Sequence, residues 1–526
     1  MASQTWNDAD QYWEIASEPR LRLLHTASTS LRSQLASKRE ALEVERQAVK
    51  RVLCKLDTSL NELQPVNLLP SDVLTHIFLL VKESFAESLK PFTSSIIKPK
   101  IFPPRWFSLV HVCKRWRSEA LSLPSLWCHL TTSMGPKALK EFIRLSQDAS
   151  LSLVLENKRY KNTTERLDLI FVPGVLDRTQ QLVVAYGRLG PKPQLYIPYL
   201  AHPMPRLESF IYRHAARDAE PPNNLFNGIA PRLKSLVLEL LPGLPQPSYL
   251  FRNLRVFSLI TGTSTGAFAH APSSRLFELL ETMPLLECLE LRNTLPAEPF
   301  TPYYALPLPR PHLKTLILEG PILACICVVR AFHLPRDCAT DIDCDASATS
   351  VEAFDGLVDA LCNAGLGGIA PRTLLIRSHS RGNFHLTAYA DAVEPEFLRA
   401  RSGYEPREPP APIFGVYIRG LAVVDNSSIP SLITTVCKQI IPLERLEALS
   451  ISIDMAEFQM TGGPTASSEL TELWHSLLGP CSHLHDVACA GAPAYVLLRE
   501  LAATREASRF LPTLKLLIFD EDNLSR

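Results

Sequence analysis

The sequence predicts an α/β protein in three parts. These are a long N-terminal helix over residues 1–64, a small all-α module over 65–130, and an irregular repeat solenoid over 131–526. Three observations carry this division. Apolar residues recur every seven positions between Leu21 and Leu63. Two amphipathic patterns flank a polar insertion between residues 65 and 130. From residue 131 onward, short apolar runs recur behind prolines.

Composition bounds what such a chain can do. At 526 residues it exceeds one simple core, so two or three structural units are expected. Hydrophobic residues at 46% and charged residues at 21% are ordinary for a globular protein. Lys+Arg and Asp+Glu both total 54, and this balance argues against broad electrostatic capture of nucleic acid or an anionic membrane. The N-terminal stretch lacks a basic flank followed by an apolar segment, and no run of 18 apolar residues exists. Neither a secretory signal nor a membrane span is expected. Twelve scattered cysteines fit reduced thiols, so a cytoplasmic or nuclear setting is expected.

The first part is read from its heptads. With Leu21 as position a, the later a sites are Ser28, Leu35, Leu42, Val49, Leu56 and Leu63. At d, Leu24, Leu31 and Val52 are apolar, whereas Lys38, Glu45 and Ser59 are not. A stable coiled coil wants both seams apolar. Residues 20–64 therefore read as one long helix with two roles open: lying against the next domain, or self-association.

The second part opens with "VNLLPSDVLTHIFLLV". Pro70 and Ser71 suit a helix start, and Val73, Leu74, Ile77, Phe78 and Val81 form one apolar stripe. An insertion follows over roughly residues 82–104 and ends in "IFPP". A second helix is predicted from about Trp106, with Trp106, Leu109, Val110, Cys113, Trp116 and Ala120 on its apolar face. Lys114, Arg115, Arg117 and Glu119 then read as a solvated face. "SLPSLW" closes the module. Tryptophans at helical spacing among apolar residues point to burial, not to base stacking. Cys113 has only His111 nearby and no Cys-x-x-Cys, which argues against metal.

The third part carries a repeated pattern, Pro-x-Leu-x-x-(Leu/Phe)-x-(Leu/aromatic). It appears as "PRLESFIY" (205–212), "PRLKSLVL" (231–238), "PLLECLEL" (284–291), "PHLKTLIL" (311–318) and "PTLKLLIF" (512–519). Variants are "FRNLRVFSL" (251–259), "PRTLLIRS" (371–378), "LERLEALSI" (443–451) and "CSHLHDVAC" (481–489). Where adjacent copies are recognisable, their spacing is 21 to 32 residues, near the period of leucine-rich solenoids. Each run is expected to be a short strand that the proline opens where no ladder donor is needed. The usual Asn is missing, the spacing drifts, and residues 319–440 hold few copies. The expectation is an irregular leucine-rich-repeat-like solenoid.

The middle part resembles a known family. "LLPSDVLTHIF" followed by "WFSLVHVCKRWRSEALSLPSLW" looks like an F-box of the form abundant in mushroom-forming fungi. The matching residues are Leu69, Pro70, Val73, Leu74, Ile77 and Phe78, then Val112, Cys113, Lys114, Trp116 and Arg117, then Pro124, Leu126 and Trp127. The long insertion departs from the family. The resemblance implies a small helical module, no chemistry of its own, and a role as substrate receptor of a Skp–cullin–F-box ubiquitin ligase. Its partners would be a Skp-family adaptor, through it a cullin, and an unidentified target held on the repeat region. The adaptor-docking residues expected are Leu69, Pro70, Val73, Leu74, Ile77, Phe78, Val110, Cys113 and Trp116. No cofactor is expected. A scaffold outside any ligase is the alternative within the same class.

A competing enzyme class rests on "GTSTG", a formal Gly-x-Ser-x-Gly with Ser264 as nucleophile. The segment that follows, "AFAHAPSS", does not read as the helix such an elbow requires, so a loop between repeats is the stronger reading. Cys481, His483, His485 and Cys489 could hold zinc but would share one strand face with no further support. "CICVV" and "CATDIDCD" read as core and loop. "NAGLGG" lacks the lysine of a phosphate loop.

Overall fold

The structure is a computed structural model. It describes residues 2–25, 32–85, 104–155, 163–186, 197–214, 224–239, 248–261, 273–295, 308–346, 351–364, 370–379, 383–393, 398, 412–419, 428–453, 464–503 and 513–519. The chain divides into two compact units. Among the described residues, one holds those up to Trp127 together with 145–147, and the other holds the rest from Cys128 onward. The N-terminal helices and the middle module thus share a unit, and the boundary expected at residue 130 falls at 127.

The first unit begins with α1 (Ala2–His25) and α2 (Arg32–Glu62), not one helix over 20–64. Arg20 Nη1 lies 3.0 Å from Glu45 Oε1. In one straight helix those residues would stand about 37 Å apart, so α1 turns back along α2. Lys38, Ala41, Glu43, Glu45, Ala48 and Val52 of α2 are half-buried, while Leu35, Leu42, Val49, Leu56 and Leu63 are exposed. The former a seam therefore faces outward. Ser28 and Leu31 lie outside the described residues.

A 3-10 turn (Pro65–Leu68) leads into α3 (Ser71–Phe85). The helix expected from Trp106 is instead a 3-10 segment (Arg105–His111) followed by α4 (Lys114–Ser122). Cys113 breaks the two apart. It is extended, with φ −153° and ψ 174°, and its sulfur accepts the Trp116 N–H at 3.5 Å as the cap of α4. A last turn, Pro124–Trp127, closes the module.

The second unit is mixed α/β, built on an open, mostly parallel sheet of fifteen strands. In chain order the strands are β1 (His129–Thr131), β2 (Leu151–Leu155), β3 (Thr179–Tyr186), β4 (Ser209–His214), β5 (Ser235–Glu239), β6 (Val256–Ile260), β7 (Cys288–Arg292), β8 (Leu308–Pro309), β9 (Thr315–Pro321), β10 (Phe332–His333), β11 (Ala339–Asp345), β12 (Thr373–His379), β13 (Asn383–Tyr389), β14 (Phe414–Arg419), β15 (Ala448–Ile453), β16 (Asp486–Gly491) and β17 (Leu516–Phe519). The order is β1 to β7, then β9, β11, β14, β13, β12, β15, β16 and β17, while β8 and β10 pair separately. Only β13 runs antiparallel to its neighbours. Parallel neighbours need crossovers, whereas the antiparallel neighbours β12-β13-β14 follow one another in chain order. That reversal falls inside 319–440, the stretch where recognisable repeats thin out.

All nine repeat copies become sheet strands, but the proline acts earlier than expected. Pro205, Pro231 and Pro311 stand four residues before β4, β5 and β9. Each occupies the second place of a turn in which the buried leucine two residues on donates its N–H to the residue before the proline. The bonds are Leu207 to Met204, Leu233 to Ala230 and Leu313 to Arg310, each 3.1 Å. Proline presets φ for that position and loses no donor there.

The leucines then stack. One register line crosses fourteen of the fifteen strands through Leu155, Val184, Tyr212, Leu238, Leu259, Leu291, Leu318, Ile342, Val416, Leu386, Ile376, Ile451, Cys489 and Phe519. All but Phe519 are buried. Just ahead of the strands a second line alternates in charge: Glu208 meets Lys234 at 3.0 Å, and Glu287 meets both Arg255 and Lys314 at 2.7 Å. These pairs are largely exposed and stabilise little, so the apolar line dominates. Leu316→Ala in β9 is expected to cost about 3 kcal/mol, against under about 1 kcal/mol for Glu287→Ala. Urea unfolding followed by circular dichroism measures both.

Candidate docking module

The middle module is organised by its tryptophans. Trp127 is buried, donates Nε1–H to the Ala120 carbonyl at 2.8 Å and stands edge-on to Trp106 at 5.5 Å. Trp116 lies against Phe78 with ring centroids 5.2 Å apart, and its Nε1–H reaches Asn67 Oδ1 at 2.8 Å. Asn67 in turn donates to the Asn61 carbonyl at 2.6 Å, tying the module to the end of α2.

Of the cations of "VCKRWR", Lys114 and Arg117 are exposed, yet both arginines also bind backbone. Arg115 donates to the Leu69 carbonyl at 2.5 Å, and Arg117 Nε donates to the Val110 carbonyl at 2.8 Å. Both carbonyls belong to segments outside α4, so each guanidinium satisfies an acceptor that no helix pairs. The motif thus has a structural account: Cys113 caps, Trp116 packs, and Arg115 and Arg117 bind backbone.

The predicted docking residues separate into two sets. Leu74 and Phe78 are fully buried and Val110 nearly so, so these three expected docking residues lie in the module's interior. Cys113 and Trp116 are half-buried parts of the same interior. On the outside stand Pro70, Val73 at 44% exposure and Leu80 at 52%, with Leu69 and Ile77 half-exposed. The apolar stripe of α3 is wider than the module covers. One flank, Leu74 and Phe78, faces inward, and the other, Pro70, Val73, Ile77 and Leu80, faces out. Leu80 and the inward role of Asn67 were missed in the sequence.

The second unit holds a feature with no motif. On the face opposite the leucine line, one register row reads Arg213, Glu239, Ile260, Arg292, Glu319, Asp343, Tyr417, His385 and Arg377. Arg213 binds Glu239 through Nη2 and Oε1 at 2.6 Å. Arg292 Nε bonds Glu290 Oε1 at 2.7 Å, and Ser258 donates to the other Glu290 oxygen at 2.7 Å. Arg419 approaches Asp343 at 2.9 Å and Glu319 at 3.6 Å. The Asp343 contact is an ion pair whose angle falls short of a hydrogen bond. Gly415 faces Asp341 across β11 and β14, and a Cβ there would lie 2.6 Å from Asp341 Oδ1. The glycine leaves room for that carboxylate.

Burial pushes the Asp341 carboxyl up, against the pull of Arg292. Burial likewise raises Asp343 to about 6, opposed by Arg419 and helped by Glu319 and Asp341.

Other candidates do not assemble. Ser264 lies outside the described residues, as does most of "NAGLGG". Cys481 and Cys489 are buried, the strand begins only at Asp486, and His485 sits between Glu447 and Asp486 at 3.7 and 3.2 Å while His483 is exposed. Among the described residues no three His, Cys, Asp or Glu side chains group to hold a metal ion, and no helix is long and apolar enough to cross a membrane. No family model and no curated protein matches the chain.

Two outcomes follow from these contacts. Asn67→Ala strands the Trp116 N–H and is expected to lower module stability by about 1–2 kcal/mol, read by thermal unfolding of the intact chain. Asp343 binds a proton more tightly folded than unfolded, so its ionised form is a cost that is fully present near neutral pH. That cost fades as pH falls through about 6 toward the usual carboxylate range. Asp343→Asn should therefore be more stable than wild type at neutral pH, with the advantage shrinking on acidification. Urea midpoints across that range measure the difference.

Proposed function

We propose that this protein is a non-enzymatic adaptor whose middle module is an F-box-like domain. It docks on a Skp-family adaptor and through it on a cullin, as the substrate-recognition subunit of a ubiquitin ligase in the cytoplasm or nucleus. The second unit would be an irregular leucine-rich-repeat-like solenoid that holds a target protein. Ubiquitin transfer by other subunits would then gain from the raised effective concentration of target near the loaded enzyme.

The observation that carries this reading is the outer flank of α3. Pro70, Val73, Ile77 and Leu80 extend an apolar stripe beyond what the module interior uses. A short helix that is apolar on both flanks is stable in water only at the cost of exposed surface, and a partner helix or groove removes that cost. Leu69 and Pro70 at the helix start continue the surface, and a few such residues carry most of an interface's affinity. The buried residues of the motif support the same reading differently: they give the module its rigid shape.

The test separates docking from folding. Val73→Asp with Ile77→Asp leaves Leu74 and Phe78 in place, so the chain should stay folded by circular dichroism and lose at least about tenfold in affinity for a purified Skp-family adaptor. Leu74→Asp should instead unfold the module. A well-folded wild-type chain that fails to bind the adaptor contradicts the proposal.

A further inference from the structure

The exposed face of α2 is a second candidate surface, and its pattern specifies its own occupant. The outward row Leu35, Leu42, Val49, Leu56 and Leu63 has a companion row four residues after Val49 and Leu56: Leu53 and Leu60, both exposed. Val49, Leu53, Leu56, Leu60 and Leu63 alternate by four and three residues, which is the spacing of a coiled-coil seam. Reading the second row at Leu53 and Leu60 moves it off Lys38, Glu45 and Ser59, the polar sites that weakened the heptads earlier. In this phase Arg39 and Arg46 occupy the second row toward the N-terminus. Arg46 is drawn to the side by Glu43, which it binds through two bonds of 2.8 and 2.6 Å. The apolar half is therefore 49–63.

Charge selects the partner. With Leu53 and Leu60 at a, the flanking g sites include Lys38 and Glu45, and the flanking e sites include Glu43 and Lys50. In a parallel pair each g residue meets the e residue five positions on in the other helix. A second copy of the same helix then sets Lys38 against Glu43 and Glu45 against Lys50, and symmetry doubles both contacts. We infer that this protein forms a parallel dimer through the outward row of α2 from Leu35 to Leu60 and Leu63 just beyond it, with a second copy of the chain as the occupant of the seam. Arg39 and Arg46 would each meet their own copies, a repulsion that keeps the association modest and confines its strength to the C-terminal half. Because the seam ends at Leu63, beside the Pro65–Leu68 turn, the dimer would present two docking modules together. That consequence alone rests on the proposed function, and the dimer does not.

The experiment is light scattering and sedimentation equilibrium of the intact chain with no adaptor present. Wild type should show twice the chain mass at tens of micromolar. Leu53→Asp with Leu60→Asp should be monomeric with helicity unchanged, since both side chains are exposed, and Leu53→Ala with Leu60→Ala should weaken the dimer without introducing charge. Glu45→Lys or Lys50→Glu alone should each weaken association by about fivefold, and the two together should restore it. The restored pair does not recover the Arg20 contact that Glu45→Lys removes, so rescue reports pairing between chains. An antiparallel pair brings Lys50 near Asp57 instead, and the double reversal would not rescue it. A monomeric wild type, a dimer that survives the aspartate changes, or reversals without rescue would each overturn the inference.

Discussion

The second unit depends on one constraint: the apolar line from Leu155 to Phe519 must stay in register across fourteen of the sheet's fifteen strands. A slip of one residue in any strand would turn its apolar member of the line to the opposite face, and in β9 or β11 it would bring Glu319 or Asp343 into the core. The Pro-x-Leu turn sets that register locally, since its buried leucine is clamped three residues back before the strand begins. The antiparallel β13 obeys the same line through Leu386 although it enters from the other end. Register, not strand direction, is what the core enforces.

The opposite face works under the reverse condition. Once the leucines are held inward, the intervening positions of β7, β9, β11 and β14 must stand side by side. There the chain has placed Glu290, Glu319, Asp341 and Asp343 with Arg292 and Arg419 among them. Buried charges are costly unless paired, and Glu290 is held by both Ser258 and Arg292 while Asp341 is pushed toward its neutral form.

In the first unit one apolar stripe is divided between interior and surface. A helix of fifteen residues cannot spend one stripe twice, so α3 uses Leu74 and Phe78 for the interior and leaves Val73, Ile77 and Leu80 at the surface. This explains why motif residues of one pattern have different roles. It also shows what sequence could and could not reveal. Periodicity placed the α3 stripe, every Pro-x-Leu strand and the burial of Trp106 and Trp127, because each follows from local spacing. It did not reveal which flank of α3 faces in, because that depends on Trp116 arriving from 38 residues later in the chain. The fold-back of α1 on α2 was hidden because the a row resumes after Ser28, its one polar member, and a single polar site does not mark a break. The charged row was invisible because its members are neighbours only across strands, up to dozens of residues apart in sequence, and carry no motif. The roles of Arg115 and Arg117 were missed for a related reason: their acceptors are backbone carbonyls, which sequence does not display.

The most direct test of the central claim is hydrogen–deuterium exchange of the intact chain with and without a purified Skp-family adaptor. A docking flank on α3 predicts added protection over residues 68–80, with strands β4 to β9 exchanging as before. Unchanged exchange in α3 at saturating adaptor would contradict the account.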